Sequence, residues 1–193
     1  FADNQYGEIQ VGDGVITLNT PIAGDREDER FSSLKDRLEE DTSCYDLVSE
    51  STWDLVHDGG VKSVNMVIME EPEHVDRYMK LADKDGAKIE YPGKGEAVIN
   101  TALAEQYDIK TGDIIMVRDS EMKEIRVSVS GIFRNHVYNY VYISPETYED
   151  QMGEAPQYKS VYFNLEEGAD SHEISADLMG DAATASVTIN KDM

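Results

Sequence analysis

The sequence predicts an α+β fold in which a split βαβ subdomain, formed by both chain ends, carries an inserted β-rich subdomain with one short helix. Three observations lead there. A strand–helix–strand pattern near the start of the chain is repeated over residues 158–189. Between the two copies lie short apolar runs punctuated by Gly and Asp. The chain has 193 residues, 40% of them hydrophobic, enough for a substantial core. Two strand–helix–strand units can pair into one layer with their helices on the same face. That division assigns residues 1–60 and 141–193 to the split subdomain and 61–140 to the insertion.

Taken in order, EIQVGDGVITL (8–18) reads as a strand with a turn or bulge at Gly12-Asp13-Gly14, since glycine supplies the positive φ such a kink needs. A helix follows, with Asp25 as its cap, acidic residues in its first turn and Phe31, Leu34 and Leu38 on one face. Ser43–His57 and Val61–Met69 read as strands joined by a turn at Asp58-Gly59-Gly60. Pro72 opens a short helix with Val75, Tyr78, Met79 and Leu81 on one side, and a loop runs through Asp85-Gly86 and Pro92-Gly93.

The most patterned stretch is GEAVINTALAEQYDIKTGDIIMV, 95–117. It reads as strand 96–100, a short helix capped by Asn100 that buries Leu103, Ala104 and Tyr107, a turn at Gly112, and strand 114–118. In EIRVSVSGIF, Ile125, Val127 and Val129 alternate with Arg126, Ser128 and Ser130, the pattern of a half-buried strand. Tyr138, Tyr140 and Tyr142 alternate in the same way and are expected on one strand face, opposite Val137, Val141 and Ile143. Tyrosine has an apolar body and a polar tip, so this face suits a subdomain junction or a partner contact. Ser144-Pro145 starts a helix that closes at Gly153. Strand 158–165, a helix over 171–179 with Asp170 and Glu173 spaced as a capping box, a stop at Gly180 and strand 184–189 complete the chain.

Composition narrows the function. Seventeen basic and forty acidic residues give a formal charge of −23, a surface that repels phosphate and disfavours both nucleic acid and anionic lipid headgroups. The single cysteine, Cys44, permits no disulfide within the chain and no thiolate metal site, and such scarcity is compatible with an extracytoplasmic location. The longest apolar runs, VNMVIM at 64–69 and IIMV at 114–117, fall far short of the ~20 residues of a membrane helix. The chain begins at FADNQYGEI, without methionine or a signal-like segment, and is expected to be a piece of a longer protein.

No catalytic, cofactor or metal site emerges. His57, His74, His136 and His172 are scattered without H-x-H or H-E-x-x-H spacing. ADKDGAKIE (82–90) has oxygen donors in the wrong register for a calcium loop and reads as an Asp-Gly turn. PGKGEA (92–97) lacks the order of a phosphate loop. No serine sits in a G-x-S-x-G elbow, and Cys44 has no histidine near it in sequence. Forty carboxylates make any chosen acid–base pair uninformative.

Several motifs carry a resemblance. Ala97-Val98-Ile99-Asn100, Leu103-Ala104, Gly112-Asp113, Val129-Ser130-Gly131 and Tyr140-Val141-Tyr142-Ile143-Ser144 follow one another as in the extracytoplasmic domain of FtsX-like, MacB-type permeases of ABC transporters. The resemblance is closest over 95–165. Where that family often has glycine after the short helix, this chain has Tyr107-Asp108, and aspartate tolerates the left-handed conformation. The resemblance implies a porter-like split subdomain near the membrane and membrane helices before Phe1 and after Met193. If those helices are consecutive, strands 8–18 and 184–189 should be neighbours, with the insertion projecting away. It further implies the extracytoplasmic face of a cell membrane and an unknown extracellular substrate or protein partner, and the high tyrosine count and many short-loop strands suit a Gram-positive surface. With no Walker motif in the chain, ATP is expected on a separate nucleotide-binding subunit, the ABC ATPase. Two alternatives stay open: a free-standing secreted peptide- or protein-binding module, and a hydrolase whose site gathers distant carboxylates and histidines.

Overall fold

The computed structural model describes residues 12–24 and 28–190. Its axis is strand β2, Cys44–His57. At about 3.3 Å per residue this strand is long enough to serve two arrangements, one at each end. Cys44–Val48 pairs antiparallel with strand β8, Tyr158–Asn164. Val48–His57 pairs antiparallel with strand β3, Gly60–Met69, through the predicted turn, where Asp58 and Gly59 take positive φ of 48° and 80°.

At the first end, β2, β8, strand β1 (Gly14–Ile22) and strand β9 (Thr184–Ile189) lie side by side in that order, each neighbouring pair antiparallel. Helix α1, Glu29–Asp41, connects β1 to β2, and helix α4, Ser171–Met179, connects β8 to β9. Phe31, Leu34 and Leu38 of α1 and Leu178 of α4 share a core with Ile16, Leu18, Leu47, Val161 and Phe163 of the strands.

At the other end the pairings close. β2 pairs with β3, β3 with strand β7 (Tyr140–Ile143), β7 with strand β4 (Glu96–Asn100), β4 with strand β6 (Glu124–Phe133), β6 with strand β5 (Ile114–Arg118), and β5 again with β2. The result is a small six-stranded barrel. Its interior takes every second side chain, among them Trp53 and Leu55, Val64, Met66 and Ile68, Ala97 and Ile99, Ile115 and Val117, Ile125, Val127 and Val129, and Val141 and Ile143. Helix α2, Thr101–Tyr107, adds Leu103 and Ala104 to this core. Parallel β3–β7 and β4–β6 pairs beside antiparallel ones make the sheet mixed, and the fold is α+β.

A third core lies between β3 and β4 in sequence. Pro72–Arg77 form a 3-10 helix, η1, and Val75, Tyr78, Met79 and Leu81 are buried with Val48, Val67, Val98, Phe133, Tyr142 and Tyr162. Helix α3, Pro145–Met152, starts with Ser144 Oγ accepting from Thr147 N and ends at Gly153 with φ 78°. Asp108 adopts the left-handed conformation, φ 52° and ψ 46°, as its place after α2 requires.

Four expectations are corrected. β1 extends to Ile22 rather than stopping at residue 18, with a register shift after Thr17, while residues 8–11 lie outside the described residues. The cap of α1 is Asp28, whose side chain accepts from Arg30 N, and Asp25 lies outside the described residues. Asn100 occupies the N-cap position of α2 without a capping bond. Its buried amide donates to Tyr138 O at 2.8 Å and accepts from Tyr140 N at 3.0 Å. That bracket bends the chain at Tyr138, which has φ 61° and lies outside β7, so the three tyrosines do not share one strand face.

Candidate functional site

A concentrated polar cluster sits where η1 meets β2. Asp46 is fully buried. Tyr78 Oη donates to its Oδ2 at 2.6 Å, His74 Nδ1 pairs with Oδ1 at 2.7 Å, and an Arg77 guanidinium nitrogen lies 3.4 Å from Oδ2. Burial, and then the adjacent Asp46 carboxylate, push the Tyr78 hydroxyl far above its ordinary range, which keeps it a donor. Tyr78 Oη and Asn164 Nδ2 each lie 3.6 Å from Cys44 Sγ. Asn164 Nδ2 also donates to Arg77 O at 2.7 Å.

This arrangement surrounds a buried carboxylate with donors on both of its oxygens. A polar group is kept in the interior by its hydrogen-bond partners, and three side chains meet the Asp46 carboxyl. Sequence reasoning missed it. The available signal was an acidic residue at a strand position amid CYDLV, where its neighbours are apolar.

The predicted contact residues separate. Tyr142 is buried, edge-on to Phe133 with centroids 5.5 Å apart and to Tyr91 at 6.1 Å. Tyr140 is half-buried and tilted against Phe133. Tyr138 is 57% exposed. The pairing of Asn65 with Tyr140 at the start of β7 puts it near the barrel end that also holds the exposed Val61 and Ile114.

The histidines stay apart. His57 lies 3.7 Å from Asp58, His74 on Asp46, and His136 3.5 Å from Glu105. Among the described residues no group of three or more His, Cys, Asp and Glu is arranged to hold a metal ion. An open groove of about 790 Å³ runs between the Tyr91–Lys94 loop and α3, and one of about 470 Å³ lies between α2 and the Asp83–Asp85 turn. Neither is lined by a histidine or cysteine.

Between α1 and α4 the surface is more charged. Arg37 reaches Asp177 Oδ1 at 2.6 Å and Asp181 Oδ2 at 3.2 Å, and Ser33 Oγ donates to Asp181 Oδ2 at 2.7 Å. Beside them desolvation, and then Asp177, raise the Asp41 carboxyl to about 6.

The two ends of the described chain meet. Gly14 is opposite Ile189 in the β1–β9 ladder, and Asn190 N donates to Asp13 O at 2.8 Å. Asp13 Oδ2 accepts from Leu165 N at 2.8 Å, and Gly12 N donates to Tyr78 O at 2.8 Å. The rows 14–163 and 45–163 put this junction at the Cys44 end of β2, whereas the barrel hairpin is at His57 and Gly60.

No protein-family profile matches the sequence, and no curated protein matches it. Solved structures do match in fold. The periplasmic region of MacB from Actinobacillus actinomycetemcomitans aligns over 98% of this chain and 92% of its own, at 12% identity and a TM-score of 0.55. The extracellular domain of the ABC-type transporter YknZ from Gram-positive bacteria aligns over 91% of this chain and 98% of its own, at 15% identity and a TM-score of 0.57. No helix among the described residues is long and apolar enough to cross a membrane. This chain has the fold of the extracytoplasmic domains of MacB-type ABC transporters.

Proposed function

We propose that the chain is the extracytoplasmic domain of an FtsX-like ABC transporter permease. In this reading it performs no catalysis and couples engagement of a substrate or protein partner outside the membrane to ATP-driven movement inside. The observation that carries this reading is the meeting of the two ends of the described residues, with Asn190 bonded to Asp13 at one pole and the barrel hairpin at the other. A loop joining two packed membrane helices, ~8–10 Å apart, must leave by one side. Residues 1–60 and 141–193 then form the membrane-proximal split βαβ subdomain. The strand order β2-β8-β1-β9 supports this, since each helix-linked pair is separated by one intervening strand. Residues 61–140 form the bulk of the projecting subdomain, and β2 is shared with it. In this reading Tyr138, exposed at the barrel end that also carries Val61 and Ile114, meets the partner, while Tyr140 and Tyr142 serve the junction. The location that follows is the extracytoplasmic face of a cell membrane, on a Gram-positive surface.

The gene tests this directly. Apolar segments of ~20 residues on both sides of the domain support the permease, and a signal peptide alone replaces it with a secreted binding module. ATP belongs to the separate ABC ATPase subunit in this scheme. Calorimetric titration of the domain with magnesium-ATP should therefore be flat, and saturable binding at micromolar nucleotide would refute the division of labour. The absence of a phosphate loop and the charge of −23 set that expectation.

A further inference from the structure

From Glu70 to Gly95 the chain forms a strap that contains only η1 and one β-bridge, Ala82–Lys88. It crosses from one arrangement of strands to the other. Tyr78, Met79 and Leu81 share one core with Tyr162 of β8 and with Val98 and Phe133 of the barrel. We propose that this strap is a clamp that sets the orientation of the barrel relative to the four-stranded layer, across β2, the strand that pairs in both. The inference does not depend on the transporter reading.

The clamp is fastened at each end by a polar group. On the layer side, His74, Arg77 and Tyr78 all converge on the buried Asp46 carboxylate of β2. On the barrel side, Tyr91 Oη donates to Ile143 O at 2.8 Å and accepts from Met69 N at 3.0 Å, tying the strap to β7 and β3 together. Between the fasteners, Arg134 N donates to Ala82 O at 2.8 Å, and Ile89 lies flat on Gly131. A Cβ on Gly131 would come within 2.6 Å of Ile89 Cγ2. Isoleucine is stiff at that branch, so the glycine is what lets the strap lie against β6. The Val129-Ser130-Gly131 motif thereby gains a physical reason.

The experiment compares the wild-type domain with Asp46→Asn, Tyr91→Phe and Gly131→Ala. Each variant is read by amide hydrogen exchange and by residual dipolar couplings fitted separately to barrel and layer amides. Tyr91→Phe removes one oxygen and keeps the ring, so it guards against outright misfolding in the other two. Exchange over 70–95 should quicken about tenfold or more in each variant. The alignment tensors of barrel and layer, identical in the wild type, should diverge while each region keeps its own protected amides. Tensors that stay identical although the strap exchanges faster would sink the proposal, because orientation would then be set without the clamp. Unchanged exchange of the strap in all three variants would sink it too, as would loss of protection in both regions together in every variant.

Discussion

Barrel and layer reach dry interiors by different routes. In the barrel, six strands supply alternate side chains to one interior, and closure leaves no free edge. The layer is open: β9 ends its strand order, and α1 and α4 close off the core on one face. Charge follows the same division. Asp41, Asp177, Asp181 and Arg37 crowd the helix-covered side, whereas the barrel interior is apolar. A closed sheet supports itself through side-chain alternation, and an open one depends on what is laid over it. The third core, under the strap, joins the two.

The largest test of this contrast removes one large apolar group from each side. Phe31→Ala in the layer should cost about 3–5 kcal/mol, and Leu103→Ala in the barrel about 2–5 kcal/mol, since both side chains are buried. Trp53, the single tryptophan, lies inside the barrel, so its fluorescence during urea unfolding reports that region. If Phe31→Ala shifts circular dichroism and fluorescence by the same midpoint change, the regions unfold together. A loss below about 0.5 kcal/mol for Leu103→Ala would contradict its place in the core.

A smaller effect is expected at α3, which packs against the barrel strand β6 through Gln151 and Arg126. Ser144→Ala deletes the cap on Thr147 N and should lower stability by about 1 kcal/mol, measured by thermal unfolding. A neutral result would mean that the 3.2 Å bond from Thr147 N to Ser144 Oγ adds nothing measurable to stability.

The smallest expected effect has the opposite sign. Asp41 is raised to about 6 in the folded chain, above its ordinary value of 3.8. Its contribution to stability is therefore full below the unfolded value and is lost as pH rises through about 6. Asp41→Asn removes that loss. The variant should be more stable than wild type at pH 7–8, by up to about 1 kcal/mol after solvent screening, and equal to it near pH 4. Denaturation midpoints across that range decide it, and a gain that persists at pH 4 would assign the effect to packing instead.

Local order was legible wherever neighbouring residues determine it. The face of α1, the Ser144-Pro145 start and Gly153 end of α3, and the alternation of Ile125, Val127 and Val129 all follow from spacing and cap chemistry. The pairing of β1 with β9 was expected only through the family resemblance, not from spacing. The strand placement of the three tyrosines was legible only in part. Alternation identified Tyr140 and Tyr142, but Tyr138 obeys Asn100, a residue distant in sequence that holds Tyr138 O and Tyr140 N and turns the chain between them.

By itself the sequence determined the α+β class, most of the element boundaries and the lack of a phosphate loop or of histidines spaced for a metal, because periodicity, caps and motif spacing act over a few residues. Tertiary structure alone decided that β2 belongs to two arrangements, that six strands close, and that a strap between β3 and β4 binds both. It also decided that Asp46 is a buried anchor and not one more surface acid. Those outcomes depend on which strands meet and which donors converge, and pairing partners leave no mark in local spacing.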